Sequence, residues 1–199
     1  KFAVFPYDGK TREYLRTRTD KPYEPVAADA DAVYEKTIAL NVDEMPFPVA
    51  KPHHFGNVVP VEEVSGIKID QALIGSCSNG RFEDLEIAAR MLKGRKVAKG
   101  VRFVLSPSSQ QVYLECLKAG LIQQLVESGA QVVTPGCGIC QPKVGYVAAG
   151  EVCITATTRN FRGRKGSLDA DLYLGGPLTV TAAAVAGKIV NPKEVFDEL

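Results

Sequence analysis

A doubly wound α/β domain, with a mostly parallel sheet carrying helices on both faces, is the fold this sequence predicts. Three observations carry it. From Ile67 onward, β-rich runs alternate with stretches of helical periodicity; cap and stop residues bracket those helical stretches; and the residues before Ile67 are proline-rich and show no sustained period. With 199 residues, 45% of them hydrophobic and 24% charged, the chain is long enough to build its own core.

Residues 1–66 hold seven of the twelve prolines and read as an extended covering segment. One short helix is expected within it, over Ala28 to Leu40, capped by Asp29 and presenting Val33 and Ile38 to a neighbouring surface. His53 and His54 sit in a stretch rich in proline and glycine and read as loop histidines rather than metal ligands. Residues 67–199 form the α/β domain. Ala72 to Ile74 is a buried strand running into Gly75-Ser76-Cys77, after which Ser78 or Asn79 caps a helix. In that helix Leu85, Ala88, Ala89 and Leu92 make one apolar stripe, and Lys93-Gly94 stops it. Arg102 to Leu105 is the next strand, followed by a helix with Tyr113, Leu117 and Leu121 on one face and by a second helical stretch to Glu127. Gln131 to Thr134, Val152 to Thr155 and Leu172 to Leu174 are further strands. Pro177 opens an alanine-rich helix that closes at Gly187. Strands separated by helices imply right-handed crossovers and hence a parallel sheet.

A net charge of +1 gives no chain-wide attraction for nucleic acid or anionic membrane. The longest apolar run, Thr179 to Gly187, is too short to span a bilayer, and Lys1 to Pro6 has no apolar core of a signal peptide. Five cysteines, an odd number in a chain of this size, argue against a disulfide framework and for a reducing, cytoplasmic setting.

In a parallel sheet every loop that follows a strand lies at the carboxyl edge, where ligands bind. Cys77 follows the first strand of the α/β domain, the Cys137-Gly138-Ile139-Cys140 pair follows the third, and the loop Arg159 to Lys165 follows the fourth. The C-x-x-C spacing alone is shared by iron–sulfur clusters, zinc sites and redox pairs. A redox pair wants a helix starting at its first cysteine, and Gln141-Pro142-Lys143 begins a poor one. Structural zinc wants four protein ligands, and three cysteines align on this edge. A cluster held by three thiolates leaves one iron open. Cys116, mid-helix, and Cys153, inside a strand, read as small buried hydrophobes. The basic loop carries Arg159, Arg162, Arg164 and Lys165, four cations in seven residues. It suits carboxylates, which guanidinium groups hold in bidentate pairs, better than nucleic acid, for which it lacks an aromatic platform.

Ile74-Gly75-Ser76-Cys77-Ser78-Asn79-Gly80-Arg81, Pro135-Gly136-Cys137-Gly138-Ile139-Cys140 and Arg159-Asn160-Phe161-Arg162-Gly163-Arg164, in that order, resemble the signature of the aconitase superfamily. More closely, the chain is similar to the cluster-binding part of the large subunits of the 3-isopropylmalate dehydratase and homoaconitase families. Supporting matches run from Pro6-Tyr7-Asp8 to Gly187-Lys188-Ile189. The resemblance implies that Cys77, Cys137 and Cys140 hold a [4Fe-4S] cluster and that Arg159 and Arg164 bind substrate carboxylates. It implies a hydro-lyase that moves a hydroxyl between adjacent carbons of a hydroxy di- or tricarboxylic acid, as in leucine biosynthesis. It also implies a small, swivelling partner subunit and further upstream domains, without which this chain is an incomplete catalyst. No membrane partner is expected, and the catalytic base is not assigned. Thr158 stands where the family pattern has asparagine, and Gln141-Pro142 where it has a small, glycine-rich continuation. A homoaconitase, or another hydratase of the dimethylmalate or citraconate type, is the alternative within the class. A non-catalytic metal-binding module whose basic loop contacts RNA is the alternative outside it.

Overall fold

The computed structural model describes residues 3–196, which fall into two compact units, Lys1–Val42 and Asp43–Leu199. In the first unit the one helix among the described residues is α1 (Gly9–Arg16), whose N-cap Asp8 accepts from the Thr11 amide at 2.7 Å. The helix expected over Ala28 to Leu40 does not form. Only a turn survives there, closed by the Ala32 amide on the Asp29 carbonyl, and Val33 is 96% exposed. A short helix has a costly nucleus and needs an apolar face to bury, and Val33, Ile38 and Leu40 are all largely exposed.

The second unit is built on seven strands: β1 (Pro48–Ala50), β2 (Val58–Pro60), β3 (Gln71–Gly75), β4 (Arg102–Ser106), β5 (Gln131–Val132), β6 (Val152–Thr155) and β7 (Asp171–Gly175). Their order is β2-β1-β7-β6-β3-β4-β5. The five strands from β3 to β7 are parallel, as expected, with Ala72 opposite both Phe103 and Ile154. The expected boundary near residue 66 is corrected. β1 and β2 precede it and extend the sheet as an antiparallel edge, Val49 pairing with Gly175 and Val59. A proline-rich stretch can do this because Pro60 lies in the edge strand β2 and Pro48 is the first residue of β1, two places where a sheet tolerates a missing donor.

The strand order explains where the cover lies. From β3 the chain steps outward to β4 and β5 through α2 (Ser76–Asn79), α3 (Phe82–Leu92), α4 (Gln110–Lys118) and α5 (Leu121–Glu127). Leu85, Ala88 and Leu92 of α3 pack with Ala72, Ile74, Phe103 and Leu105 on one face, where α6 (Pro177–Ala186) joins them through Val180 and Ala183. The chain then crosses back to β6 and β7, and those connections cover the opposite face, where Ile139, Cys140, Val147 and Ala170 pack on Leu73, Val104, Cys153 and Leu172. Right-handed crossovers require this change of face when the direction reverses. The cover on that second face is a 3₁₀ turn and loop, not the helices expected there, because Gly138, Pro142 and Gly145 punctuate the segment. On α4 the buried residue is Cys116, while Leu117 is 48% exposed; Gly120, at φ 73°, ends the turn before Leu121 can share its face.

Below the sheet, Arg102 and Glu151 form a bidentate pair at 2.9 and 2.6 Å. The Arg102 hydrogen bonds hold the Glu151 carboxyl below its ordinary range. A depressed folded value means that the stabilisation is complete above the ordinary carboxylate range and is lost as the pH falls through the folded value. Glu151→Gln is expected to cost about 1 kcal/mol in urea melts at pH 7, a figure held down by solvent screening, and to cost progressively less below about pH 4. An equal loss at both pH values would contradict the pairing. No helix among the described residues is long and apolar enough to cross a membrane.

Candidate active site at the carboxyl edge of the sheet

The strand order reverses between β3 and β6, and the crevice outside their carboxyl ends is where open α/β sheets bind ligands. Cys77 lies immediately beyond β3, on α2. Gly75 leaves the strand at φ 148°, and Ser76 follows at φ 66°, the one non-glycine residue with positive φ among the described residues. This sharp exit holds Cys77 exposed while Ser76 stays buried. Gly75 and Gly80 bracket the turn, and both lie so close to the backbone of Ser106 that a Cβ on either would overlap it. The Ser108 amide donates to the Gly80 carbonyl at 2.7 Å, so α2 is clamped onto the end of β4. The Asn79 amide group donates to the Ala156 carbonyl and ties the same turn to β6.

Cys137–Cys140 is a single 3₁₀ turn. Ile139 and Cys140 are buried, and Cys137 is exposed. Gly138 faces Val144 so closely that a Cβ would come within 2.9 Å of its side chain, and the Gly138 carbonyl accepts from the amides of Gln141 and Val144 at 3.2 Å. One short 3₁₀ turn offers no helix N-terminus of the kind that activates a redox thiol. This turn packs against α2, so the structure brings the Cys77 and Cys137–Cys140 segments together. It does not close them into a cage: among the described residues, no three His, Cys, Asp or Glu side chains form a metal-binding group. The donor set nonetheless divides cleanly. No disulfide uses the thiols of Cys77, Cys137 and Cys140, whereas burial pushes the Cys116 thiol up to about 11 and the Cys153 thiol up to about 12, which leaves both protonated. Cys116 and Cys153 are core residues, as their positions in a helix and a strand suggest.

The basic loop begins after β6. Arg159 is exposed, and its Nη1 donates to Thr158 Oγ1 at 3.1 Å. Arg164 is half-buried, with its guanidinium 5.5 Å from the Phe161 ring. Arg162 turns away and donates to the Leu168 carbonyl at 3.0 Å. Asn160 is buried and donates to the Lys51 carbonyl at 2.8 Å, which anchors the loop. Among the described residues, Ser76 Oγ, Ser78 Oγ, Asn160 Oδ1 and Arg164 Nε are buried polar atoms without a hydrogen-bond partner. These four flank Cys77 or lie in the basic loop; the fifth such atom, His53 Nδ1, belongs to neither. Buried polar groups are nearly always paired, so this concentration marks a place built for a polar ligand, and the donors present fit a thiolate-held cluster with an anion beside it. His53 lies apart, its Nε2 3.6 Å from Asp171 at the start of β7.

Two features of the edge escaped the sequence reading. The first is the pair of glycines, Gly75 and Gly80, as a steric clamp rather than as motif letters. The second is Lys165, expected to be one of four loop cations. It is only 3% exposed, and burial pushes its ammonium down to about 8. No local pattern separates a buried lysine from a solvated one.

Comparison with known proteins gives a consistent picture. The model of the aconitase family (aconitate hydratase) matches residues 62–187. The 3-isopropylmalate dehydratase large subunit of Clostridium kluyveri is 45% identical over 196 residues, 98% of this chain and 47% of that protein. Large subunit 2 of the same enzyme from Archaeoglobus fulgidus is likewise 45% identical over 196 residues, with the same coverage. Large subunit 1 from Methanopyrus kandleri is 44% identical over 194 residues, 97% of this chain and 46% of that protein. The chain spans about half the length of the curated relatives it matches.

Proposed function

The chain belongs to the aconitase family, and from that premise we propose that it is the cluster-binding part of an iron–sulfur hydro-lyase acting on a hydroxy dicarboxylic acid, with 3-isopropylmalate as the substrate. The observation that carries this reading is the packing of the Cys77 turn on the Cys137–Cys140 turn, to which the basic loop is bonded through Lys165, with unpartnered Ser76, Ser78 and Arg164 atoms in these segments. Cys77, Cys137 and Cys140 are the residues that would hold a [4Fe-4S] cluster. When bound, that group supplies an open Lewis-acid position that stabilises a departing hydroxyl.

The remaining work falls to the chain's own side chains. Arg159, exposed and held only through Thr158, is free to fork onto a substrate carboxylate. Arg164 presents an unused Nε from a half-buried position, where a charge-assisted hydrogen bond is stronger than in open water. Two carboxylates fixed by two guanidinium groups orient the two carbons between them. The guanidinium groups also stabilise the negative charge that builds when a proton leaves one of those carbons. The proton acceptor and the rest of the pocket come from a small partner subunit and from upstream domains of the large subunit under this proposal, which also carries a cytoplasmic role in leucine biosynthesis.

The test combines a large subunit bearing this chain with its small subunit under anaerobic conditions. Isopropylmalate, homocitrate and citrate are offered in turn, and the ultraviolet absorbance of the unsaturated product is followed. Turnover of isopropylmalate is expected; no turnover of any of the three would defeat the reading. In the same assay Arg159→Lys is expected to raise KM about tenfold or more, because a point charge does not reproduce a bidentate fork. Unchanged KM and kcat would show the loop to be merely solvated.

A further inference from the structure

Lys165 ends the basic loop, yet its side chain bonds to the cysteine turn. Its Nζ donates to the carbonyls of Ile139 at 2.7 Å, Gln141 at 2.9 Å and Val144 at 2.7 Å. An ammonium has three protons and no acceptor, so these three bonds saturate it. All three acceptors belong to the Cys137–Cys140 turn and the five residues after it. Two backbone bonds add to the link: Val147 donates to the Lys165 carbonyl at 3.0 Å, and Ser167 donates to the Val147 carbonyl at 3.0 Å. Ile139 and Cys140 pack the turn onto Leu73 and Val104, but few hydrogen bonds fix its backbone. Its own closure consists of the bonds from Gln141 and Val144 onto Gly138, both long at 3.2 Å, in a segment interrupted by Gly136, Gly138, Pro142 and Gly145. Carbonyls gathered around one buried ammonium lose their alternatives, since no water reaches a side chain that is 3% exposed.

We propose that Lys165 is a positioning residue for the cysteine turn: its ammonium, gripping three carbonyls, holds Cys140 buried and Cys137 exposed and fixes both relative to the basic loop. A ligand site assembled from two loops needs such a tie, because each loop alone is free to shift by more than ligation tolerates. The proposal rests on the cluster reading for its purpose but not for its geometry, and the test separates the two.

Lys165→Met, which removes all three donors, and Lys165→Gln, which keeps up to two, are compared with the wild-type chain in the absence of metal. In Lys165→Met the Gln141 and Val144 amides are expected to exchange with deuterium about tenfold faster or more, with Lys165→Gln between it and the wild type. Cys140 is expected to react with iodoacetamide at a rate approaching that of Cys137. The amides of Val133 and Ala156, which continue β5 and β6 by one residue and donate to Leu105 and Leu73, serve as the reference and are expected to hold their rates. Unchanged exchange and unchanged Cys140 alkylation would overturn the proposal, and so would equal acceleration of the strand amides, which would make Lys165 a prop of the whole fold. If Lys165→Met does not fold, Lys165→Gln carries the same comparison. Failure of the wild-type chain to take up iron would defeat the cluster reading and leave these rates to decide the present one.

Discussion

Cys137→Ser is expected to leave the chain folded and unable to keep iron. Cys137 is exposed at the start of its 3₁₀ turn, so its replacement removes no core contact, and Ile139 and Cys140 still anchor the turn against Leu73 and Val104. The larger core, around Ile74, Phe103 and Leu105, lies on the other face of the sheet. Substitutions away from the core cost about 0.5 kcal/mol or less, and far-ultraviolet circular dichroism and the melting midpoint should change little. A hydroxyl is a harder and far less acidic ligand than a thiol, so iron retained after anaerobic reconstitution should fall to about a tenth of the wild-type value or below. Cys153→Ser supplies the contrast. It puts a hydroxyl into a site that is 0% exposed, and is expected to cost about 1–3 kcal/mol while leaving iron content per folded chain unchanged. Global unfolding of Cys137→Ser, or iron retained in full, would contradict the assignment.

Gly75→Ala is expected to have the largest effect on stability of any single methyl added at this edge. Two costs add. At φ 148° an L side chain meets its own backbone, and the new Cβ would overlap the Ser106 carbonyl and lie 2.8 Å from the Ser106 amide nitrogen. Neither atom can yield, because Gly75 and Ser106 are partners in adjacent parallel strands. A loss of about 3 kcal/mol or more in urea denaturation is expected, with the Cys77 turn displaced. Gly94→Ala is the control. It also has positive φ, at 73°, but faces open space, and should cost about 1 kcal/mol. Equal losses for the two would show that the contact with Ser106 relaxes freely.

The parts of the molecule legible in its sequence are those in which local pattern and tertiary burial agree. The run Ala72 to Ile74 is apolar because both its faces are covered, and the stripe Leu85, Ala88, Ala89 and Leu92 is buried residue for residue. Pro177 and Gly187 bound α6 as their backbone constraints dictate. The parallel order followed from these elements, and it put the three unusual loops at one edge before any side chain was placed. Legibility failed where tertiary context decides. Val58 to Pro60 has no strand signal strong enough to outweigh its prolines, and only pairing with β1 makes it a strand. Val33 and Ile38 lie in a stretch with a helix cap but find no surface to bury against within their unit. Within the site, the cysteines and arginines announced themselves by type and spacing. Lys165 did not, because its role depends on carbonyls more than twenty residues away, and carbonyls carry no residue type.

The central claim, that three thiols on two packed turns hold an iron–sulfur cluster, is tested most directly by metal and acid-labile sulfide analysis of the wild-type chain after anaerobic reconstitution. The account predicts iron and sulfide in equal amounts, about four of each per chain, with both lost in Cys137→Ser. Zinc in place of iron, or no metal retained, would contradict it.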